Sequence, residues 1–520
     1  MERLSRVSKS ARAAIGLFAV ALTALVVLAG CGSSSGDGGG GEEVSFTGSG
    51  MPNGNDANTR YERGPINSSN VTNLQVAWKL PLSGVSAFGS YASAPIISKG
   101  VMYSQDLVSN VQAIEVETGK VLWTASFEQP DHGPNGVVVE NGLVYGVTPT
   151  EAFALDQKTG NEVWSTKLIR NEHEGIDMAP GLHDGLVYVS TVPVNVEEFY
   201  GGGAGGILWA LDAKTGKKVW SFKTVPDDLW APSAAAKKVN SGGGMWYPPA
   251  FDEEGSMYVA VGNPGPLPGT EQFPWGSSRP GPDLYTDSIV KLDAKTGKMK
   301  WYFQLTPHDI NDWDLNDPPI LVKVGGKDMV VGAGKSGIVV ALDRKSGKLL
   351  WKRPVGIHNG HDDIGKEAME GKTPKLPVTI LPGSLGGVIA PMATDGKTLF
   401  VPVVNSSLTL SGQEEKSEGG PGNGELVAID LATGKVKWKE EMATPAFGFV
   451  TAVNDLVFST TYDGTVSAFD AKTGSVLWRE KLPSGTNSGV TVAGNMLIAP
   501  AGVASAEGQK PQIVAYKLSE

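Results

Sequence analysis

The sequence predicts an all-β fold, an eight-bladed β-propeller closed by its N- and C-terminal strands. Three observations predict it: a Trp-ended hairpin unit recurs seven times, a second strand pair precedes each copy, and the two chain ends carry strands that complete one more unit. The unit reads AIEVETGKVLW at Ala113, ALDQKTGNEVW at Ala154, ALDAKTGKKVW at Ala210, KLDAKTGKMKW at Lys291, ALDRKSGKLLW at Ala341, AIDLATGKVKW at Ala428 and AFDAKTGSVLW at Ala468. Two short strands flank a turn whose Gly admits positive φ, so the turn sets the hairpin register. The Trp falls four residues after that Gly, placed to bury against the neighbouring unit.

Runs such as GVVVENGLVYGV (Gly136 to Val147) and PAFDEEGSMYVAV (Pro249 to Val261) supply the other two strands of each blade. Trp123, Trp164, Trp220, Trp301, Trp351, Trp438 and Trp478 mark seven blades. The eighth is assembled from IVAYKL (Ile513 to Leu518) and LQVAW ending at Trp78, which closes the ring and removes a free edge. Blade spacing roughly doubles between Trp220 and Trp301 and between Trp351 and Trp438, so insertions are expected there, on the face where function sits.

Residues 1–30 read as an export leader: Arg3, Arg6, Lys9 and Arg12 precede an apolar run from Ala13 to Leu28, and LAGC ends at Cys31. LAGC resembles the bacterial lipobox, which implies a lipid on Cys31 and a membrane anchor on the extracytoplasmic side, in the periplasm or at the cell surface. Residues 31–50, with GSSSGDGGGG, form a flexible tether, and residues 51–520 form the propeller. Cys31 is the only cysteine, which excludes disulfides, thiolate metal sites and a CxxCH haem attachment. The chain carries a net charge of −11, and the leader holds four cations against Glu2 alone, so the remainder is more acidic still. Such a surface repels nucleic acid, and no nucleic-acid partner is expected.

One stretch stands out for chemistry. TPHDINDWDLNDPPIL (Thr306 to Leu321) holds His308, Asp309, Asp312, Asp314 and Asp317, and no cation lies between Lys300 and Lys323. Crowded carboxylates without counter-ions raise a pKa, bind a metal, or sit in water on a loop. Density alone leaves all three open.

The Trp-ended repeat, the opening DANTRY with INSSNV, and TPHDINDWD together resemble the quinoprotein alcohol dehydrogenases. These are eight-bladed propellers that hold pyrroloquinoline quinone (PQQ) and a divalent or lanthanide ion on their axis. The repeat itself is shared with the propeller lipoproteins of outer-membrane assembly. The resemblance implies a general base at Asp312 and a second, lanthanide-associated carboxylate at Asp314. VGNPGP places Asn263 at a metal-ligand position, GGGMW places Trp246 as the floor under the quinone, and GAGKSG places Lys335 against the quinone oxygens. It further implies PQQ with Ca²⁺ or a lanthanide, a small alcohol or sugar-like substrate, and a separate electron acceptor. These residue types suit that chemistry: a hard cation takes oxygen ligands, a carboxylate takes a hydroxyl proton, and an indole stacks on a planar ring.

The chain also departs from that pattern. The family's roofing disulfide is impossible, its cofactor-pairing Arg falls on Asn135, a Glu falls on Ala92 and a Thr on Asp177. Its metal-binding Glu has no exact counterpart, and Glu197 in a Gly-rich segment is the candidate. Two readings follow: a PQQ-dependent dehydrogenase acting outside the cytoplasm, or a non-catalytic binding or assembly propeller that has lost the cofactor.

Overall fold

A computed structural model describes residues 50–519, apart from 195–199, 413–415 and 421. The leader, Cys31, nearly all of the tether and Glu197 therefore lie outside the described residues. Eight blades, each built on a four-stranded antiparallel sheet, follow one another along the chain; a short extra strand joins the third and the seventh, and the insertions of the fourth and sixth add short sheets of their own. Blade five takes four successive strands: Ile320–Val324, Lys327–Gly332, Ile338–Asp343 and Leu349–Pro354. Blade eight is the composite expected from the sequence. Thr491–Ala493, Met496–Ala501 and Gln512–Leu518 come from the C-terminus, and Leu74–Pro81 pairs antiparallel with the last of them.

The repeat motif explains how blades stack. In each TG turn the Gly has φ near +70°, and the Trp after it reaches across to the next blade. Trp123 Nε1 donates to Gln157 O at 3.1 Å, Trp164 to Ala213 O at 3.0 Å, and Trp351 to Leu431 O at 3.0 Å. The ring of each Trp lies under the turn Gly of the next blade, so tightly that a Cβ on Gly216 would meet Trp164 at 2.5 Å. The Gly is therefore required twice, for its φ and for this approach. Six of these eight Trp are only half-buried, so each also contributes a polar latch rather than burial alone. Trp478 differs. It packs edge-on against Tyr516 with centroids 5.5 Å apart, because blade eight breaks at the chain ends and has no TG turn to offer.

Each outer hairpin carries a register shift beside its Trp, as between Ala341 and Leu342, and such bulges increase local twist. Between blades the inward residues form apolar clusters such as Val331, Val339, Leu399, Val401 and Ile429. Full burial of each such side chain contributes about 1.5–3 kcal/mol.

Residues 50–62 form a strap across the ring. Val139 N donates to Gly50 O, Phe251 N to Asp56 O, Leu321 N to Ala57 O, Thr394 N to Thr59 O, and Ala452 N to Arg60 O. Five blades are thereby tied to one segment. Arg60 anchors it: fully enclosed, its Nε donates to Val450 O at 2.8 Å and its guanidinium lies 3.9 Å from the Phe449 ring centroid. Burial brings the Arg60 pKa down to about 9. The two expected insertions are present, and each contains a short helix, Ala234–Val239 and Ile364–Met369.

Candidate active site

The Asp-rich stretch is the crossover from blade four to blade five, and it is buried rather than a solvated loop. Its acidic groups divide by task. Asp309 accepts the backbone N–H groups of Asn311 (2.7 Å) and Trp313 (2.6 Å), so it shapes the loop. His308 sets both ring nitrogens 3.0 Å from carbonyl oxygens, of Gly281 and Trp275. Trp313 Nε1 donates to Pro382 O at 3.0 Å, and Gly365 comes so near that a Cβ there would lie 2.3 Å from His308 O. Both insertions therefore brace this loop. Asp317 is buried apart, neither oxygen hydrogen-bonded among the described residues, and burial raises its pKa well above the carboxylate range.

Asp312 and Asp314 are the two that meet. Lys335 Nζ lies 3.1 Å from Asp312 Oδ2 and 2.7 Å from Asp314 Oδ2. Burial works against the ammonium, but the two carboxylates outweigh it and raise the Lys335 pKa. The ammonium also sits 4.6 Å from the Trp246 ring centroid, a cation–π distance. Asp314 Oδ1 accepts the Asn263 backbone N–H at 2.8 Å, and the Asn263 side-chain amide donates to Pro264 O. Trp246 joins the same group through backbone pairing: Gly243 N donates to Asn263 O and Gly262 N to Gly244 O, both at 2.8 Å.

The glycines of these motifs have a steric reason. A Cβ at Gly262 would lie 2.4 Å from Asp314 Oδ1, and one at Gly334 would lie 1.9 Å from Asp314 O. VGNPGP and GAGKSG thus pack two bare backbones around one aspartate. Asp312 itself stands at φ +66°, a conformation that non-Gly residues adopt rarely and that concentrates at functional sites.

The structure thus unites Asp312, Asp314, Lys335, Asn263 and Trp246, which the sequence places far apart. Asn135 is not among them: its amide donates to Asp106 O at 2.7 Å, which leaves its Oδ1 as a buried acceptor. No group of three His, Cys, Asp or Glu among the described residues is arranged to hold a metal ion.

Sequence reasoning missed Tyr200 and Tyr247. Both are half-buried, as is Asp177, and burial raises the pKa of all three. Asp177 has one oxygen without a hydrogen bond, as does Asp131. Burial, Asp131 and Asp314 all raise the Asp177 pKa, and burial raises that of Asp131 to about 7. A second buried group joins Arg279, Asp283 and His308. Tyr200, Tyr247, Asp131, Arg279 and Asp283 belong to no motif; the Asp at 177 in place of a Thr was a signal, and His308 already stood out in the Asp-rich stretch.

An eight-bladed ring that gathers a paired lysine, two carboxylates and a half-buried indole at one point defines a propeller with a charged, largely buried centre. Comparison with known proteins specifies the class. The family model described as glucose/ethanol/alcohol dehydrogenase, beta-propeller domain matches residues 51–138 and 178–359, just over half of the chain. The quinohemoprotein alcohol dehydrogenase of Comamonas testosteroni is 31% identical over 479 residues, covering 78% of this chain and 65% of that protein. Quinoprotein ethanol dehydrogenase of Pseudomonas putida is 29% identical, covering 77% of this chain and 76% of that one. The crystal structure of the Comamonas testosteroni enzyme superposes with a TM-score of 0.77 at 26% identity, covering 91% of this chain and 80% of that one.

The chain belongs to the PQQ-dependent alcohol dehydrogenase β-propeller family. A model of the outer membrane protein assembly factor BamB also matches, at residues 108–244 and 383–520. BamB from Moraxella catarrhalis superposes with a TM-score of only 0.52, at 14% identity over 85% of this chain and 99% of that one, so the likeness to it is one of fold. This chain spans between half and two thirds of the length of the first four curated relatives.

Proposed function

We propose that this protein is a PQQ-dependent dehydrogenase that oxidises an alcohol or sugar-like substrate and passes the electrons to a separate acceptor. One observation carries the reading: a single ammonium, Lys335 Nζ, contacts Asp312 and Asp314 while lying over the Trp246 ring. The residues gathered here suit the cofactor. Trp246 offers an indole face for a planar ring, and Lys335 offers a cation for carbonyl oxygens that gain charge. Bound there, PQQ supplies the two-electron acceptor for the alcohol carbon. Asp312 takes the hydroxyl proton at its carboxylate, and Lys335 holds that carboxylate in place. Asp312, Asp314 and Asn263 have the oxygen donors a hard cation prefers, and a metal there competes with Lys335 for the two carboxylates.

The departures from the family pattern suit the cofactor less well. Asn135 stands where the resemblance implies a cofactor-pairing Arg, and Asp177 where it implies a Thr, so a cation is lost and a carboxyl gained for a tricarboxylate ligand. Those two positions favour the non-catalytic reading, and one experiment separates the two. Thermal melts with PQQ, with Ca²⁺ or La³⁺, and with both are expected to show a rise with PQQ and a larger one with the pair. A ligand at a hundredfold its Kd stabilises by about 2.7 kcal/mol. No shift, together with no alcohol-dependent dye reduction, sinks the dehydrogenase and leaves the binding propeller.

Export and lipid anchoring at Cys31 belong to the same reading, since the leader and LAGC motif suit an enzyme that works outside the cytoplasm. Cells expressing Cys31→Ser are expected to lose fatty-acid label from the protein and to release it from the membrane fraction. Unchanged labelling refutes the anchor.

A further inference from the structure

The DANTRY motif (Asp56 to Tyr61) lies in the strap, and its Asn58 reaches from the strap into the ring. Asn58 is buried and stands at φ +56°, a conformation Asn tolerates better than most residues. Its Nδ2 donates to Pro248 O at 3.3 Å and to Pro319 O at 3.1 Å, while its Oδ1 accepts from Asn53 Nδ2 at 3.2 Å. Asn53 is held in turn, since Arg60 Nη1 donates to Asn53 Oδ1 at 2.9 Å. A buried line of hydrogen bonds thus runs from the Arg60 anchor to two loops.

Those two loops carry the site. Pro248 lies two residues after Trp246 and opens the pair Pro248–Pro249, which leads into the inner strand Ala250–Phe251 of blade four. Pro319 lies five residues after Asp314 and closes the pair Pro318–Pro319, which leads into Ile320–Val324 of blade five. Proline has no N–H, so a ladder between the loops lacks donors at these positions. The buried carbonyls of Pro248 and Pro319 need a donor from elsewhere, and one carboxamide has two N–H groups to serve both. Blade six meets the same two loops at a second point: Asn316 Nδ2 donates to Ile389 O at 3.0 Å, and Tyr247 Oη lies 3.5 Å from that oxygen.

The centre is assembled across this seam. Lys335 Nζ is 4.6 Å from the Trp246 ring on one loop, and 3.1 Å and 2.7 Å from Asp312 and Asp314 on the other. A slip of one loop past the other changes those distances. We propose that Asn58 is a positioning residue: by holding Pro248 and Pro319 with one carboxamide, it fixes the indole face of Trp246 relative to Asp312. For its effect on turnover the proposal rests on the dehydrogenase reading. No bond forms or breaks at Asn58.

Asn454 provides a matched control. It too is an Asn at positive φ (+51°) whose Nδ2 donates to two carbonyls, but these are Gly64 O and Ile66 O, both at 2.7 Å, rather than carbonyls of the site loops. The test compares wild type, Asn58→Ala, Asn58→Asp and Asn454→Ala; the Asp keeps the shape and the acceptor for Asn53 and, ionised, offers no donor. Without cofactor, hydrogen exchange at the amides of 312–317 is expected to quicken about tenfold in both Asn58 variants and to stay at the wild-type rate in Asn454→Ala. In PQQ-loaded enzyme with an alcohol and a dye, the Asn58 variants are expected to lose about 10²-fold in kcat, as a misplacement near 1 Å does, with KM for the alcohol within about threefold of wild type. Asn454→Ala is expected to keep the wild-type kcat. Unchanged exchange at 312–317, or equal losses of kcat in Asn58→Ala and Asn454→Ala at the same distance below each Tm, overturns the positioning role and leaves the dehydrogenase standing. Failure of both Asn58 variants to fold overturns it in favour of a structural role. A loaded wild type that oxidises no alcohol removes the dehydrogenase reading and this role with it.

Discussion

Asp312→Asn is expected to lower alcohol-dependent turnover by about 10²–10⁴-fold, the range a positioned general base contributes, with the blades intact. The change is isosteric and removes only the capacity to take a proton. Lys335 keeps Asp314 at 2.7 Å, so its buried charge is still paired, and the cost to stability stays well below that of stranding an ammonium. Asp314→Asn makes the instructive control. That residue orders the site by accepting the Asn263 N–H at 2.8 Å, an interaction an amide oxygen can also make. Its loss of charge is expected to alter metal dependence more than the proton-transfer step. The assay is kcat against pH for the PQQ-loaded proteins, with a melt for each. Wild-type kcat in Asp312→Asn places the base elsewhere.

The second large effect concerns stability and pH. Asp131 is 4% exposed, accepts one hydrogen bond from Gly133 N at 3.0 Å, and leaves Oδ2 unpaired. Burial raises its pKa to about 7 in the folded protein. The unfolded chain releases this proton near pH 4, the folded chain only near 7. The folded state is therefore favoured below pH 4, and that advantage is lost progressively as pH rises to about 7. Asp131→Asn removes the penalty. It is expected to match wild type at pH 4 and to exceed it at pH 8 by roughly 2–4 kcal/mol, at 1.36 kcal/mol per pKa unit. Urea unfolding at the two pH values measures it, and a gap equal at both would show that Asp131 titrates normally.

The ring was readable from the chain because its unit is local. A Gly at φ near +70° and a Trp four residues later leave the same trace in every copy, and the closing strand differs only in lying at the opposite end. Half of the centre was readable too, for a related reason: Gly262 and Gly334 must be bare to let Asp314 in, so VGNPGP and GAGKSG survive as motifs. Acid density was a poorer guide. Of five acidic or imidazole groups between Thr306 and Leu321, Asp309 and His308 serve the backbone and Asp317 lies apart. Tyr200, Asp131 and the Arg279–Asp283 pair left no trace, since their environment is made by loops from other blades.

Blade eight also has a bearing on how the molecule is made. Leu74 pairs with Leu518, so the first strand of the ring to leave the ribosome waits for the last. Closing so long a span carries an entropic cost that grows only with the logarithm of its length, but contacts so distant in the chain form slowly. Until then an unsatisfied strand edge stays open at each end of a growing arc, a template for mispairing with another copy. Loss of even the final few residues would leave that arc unlatched.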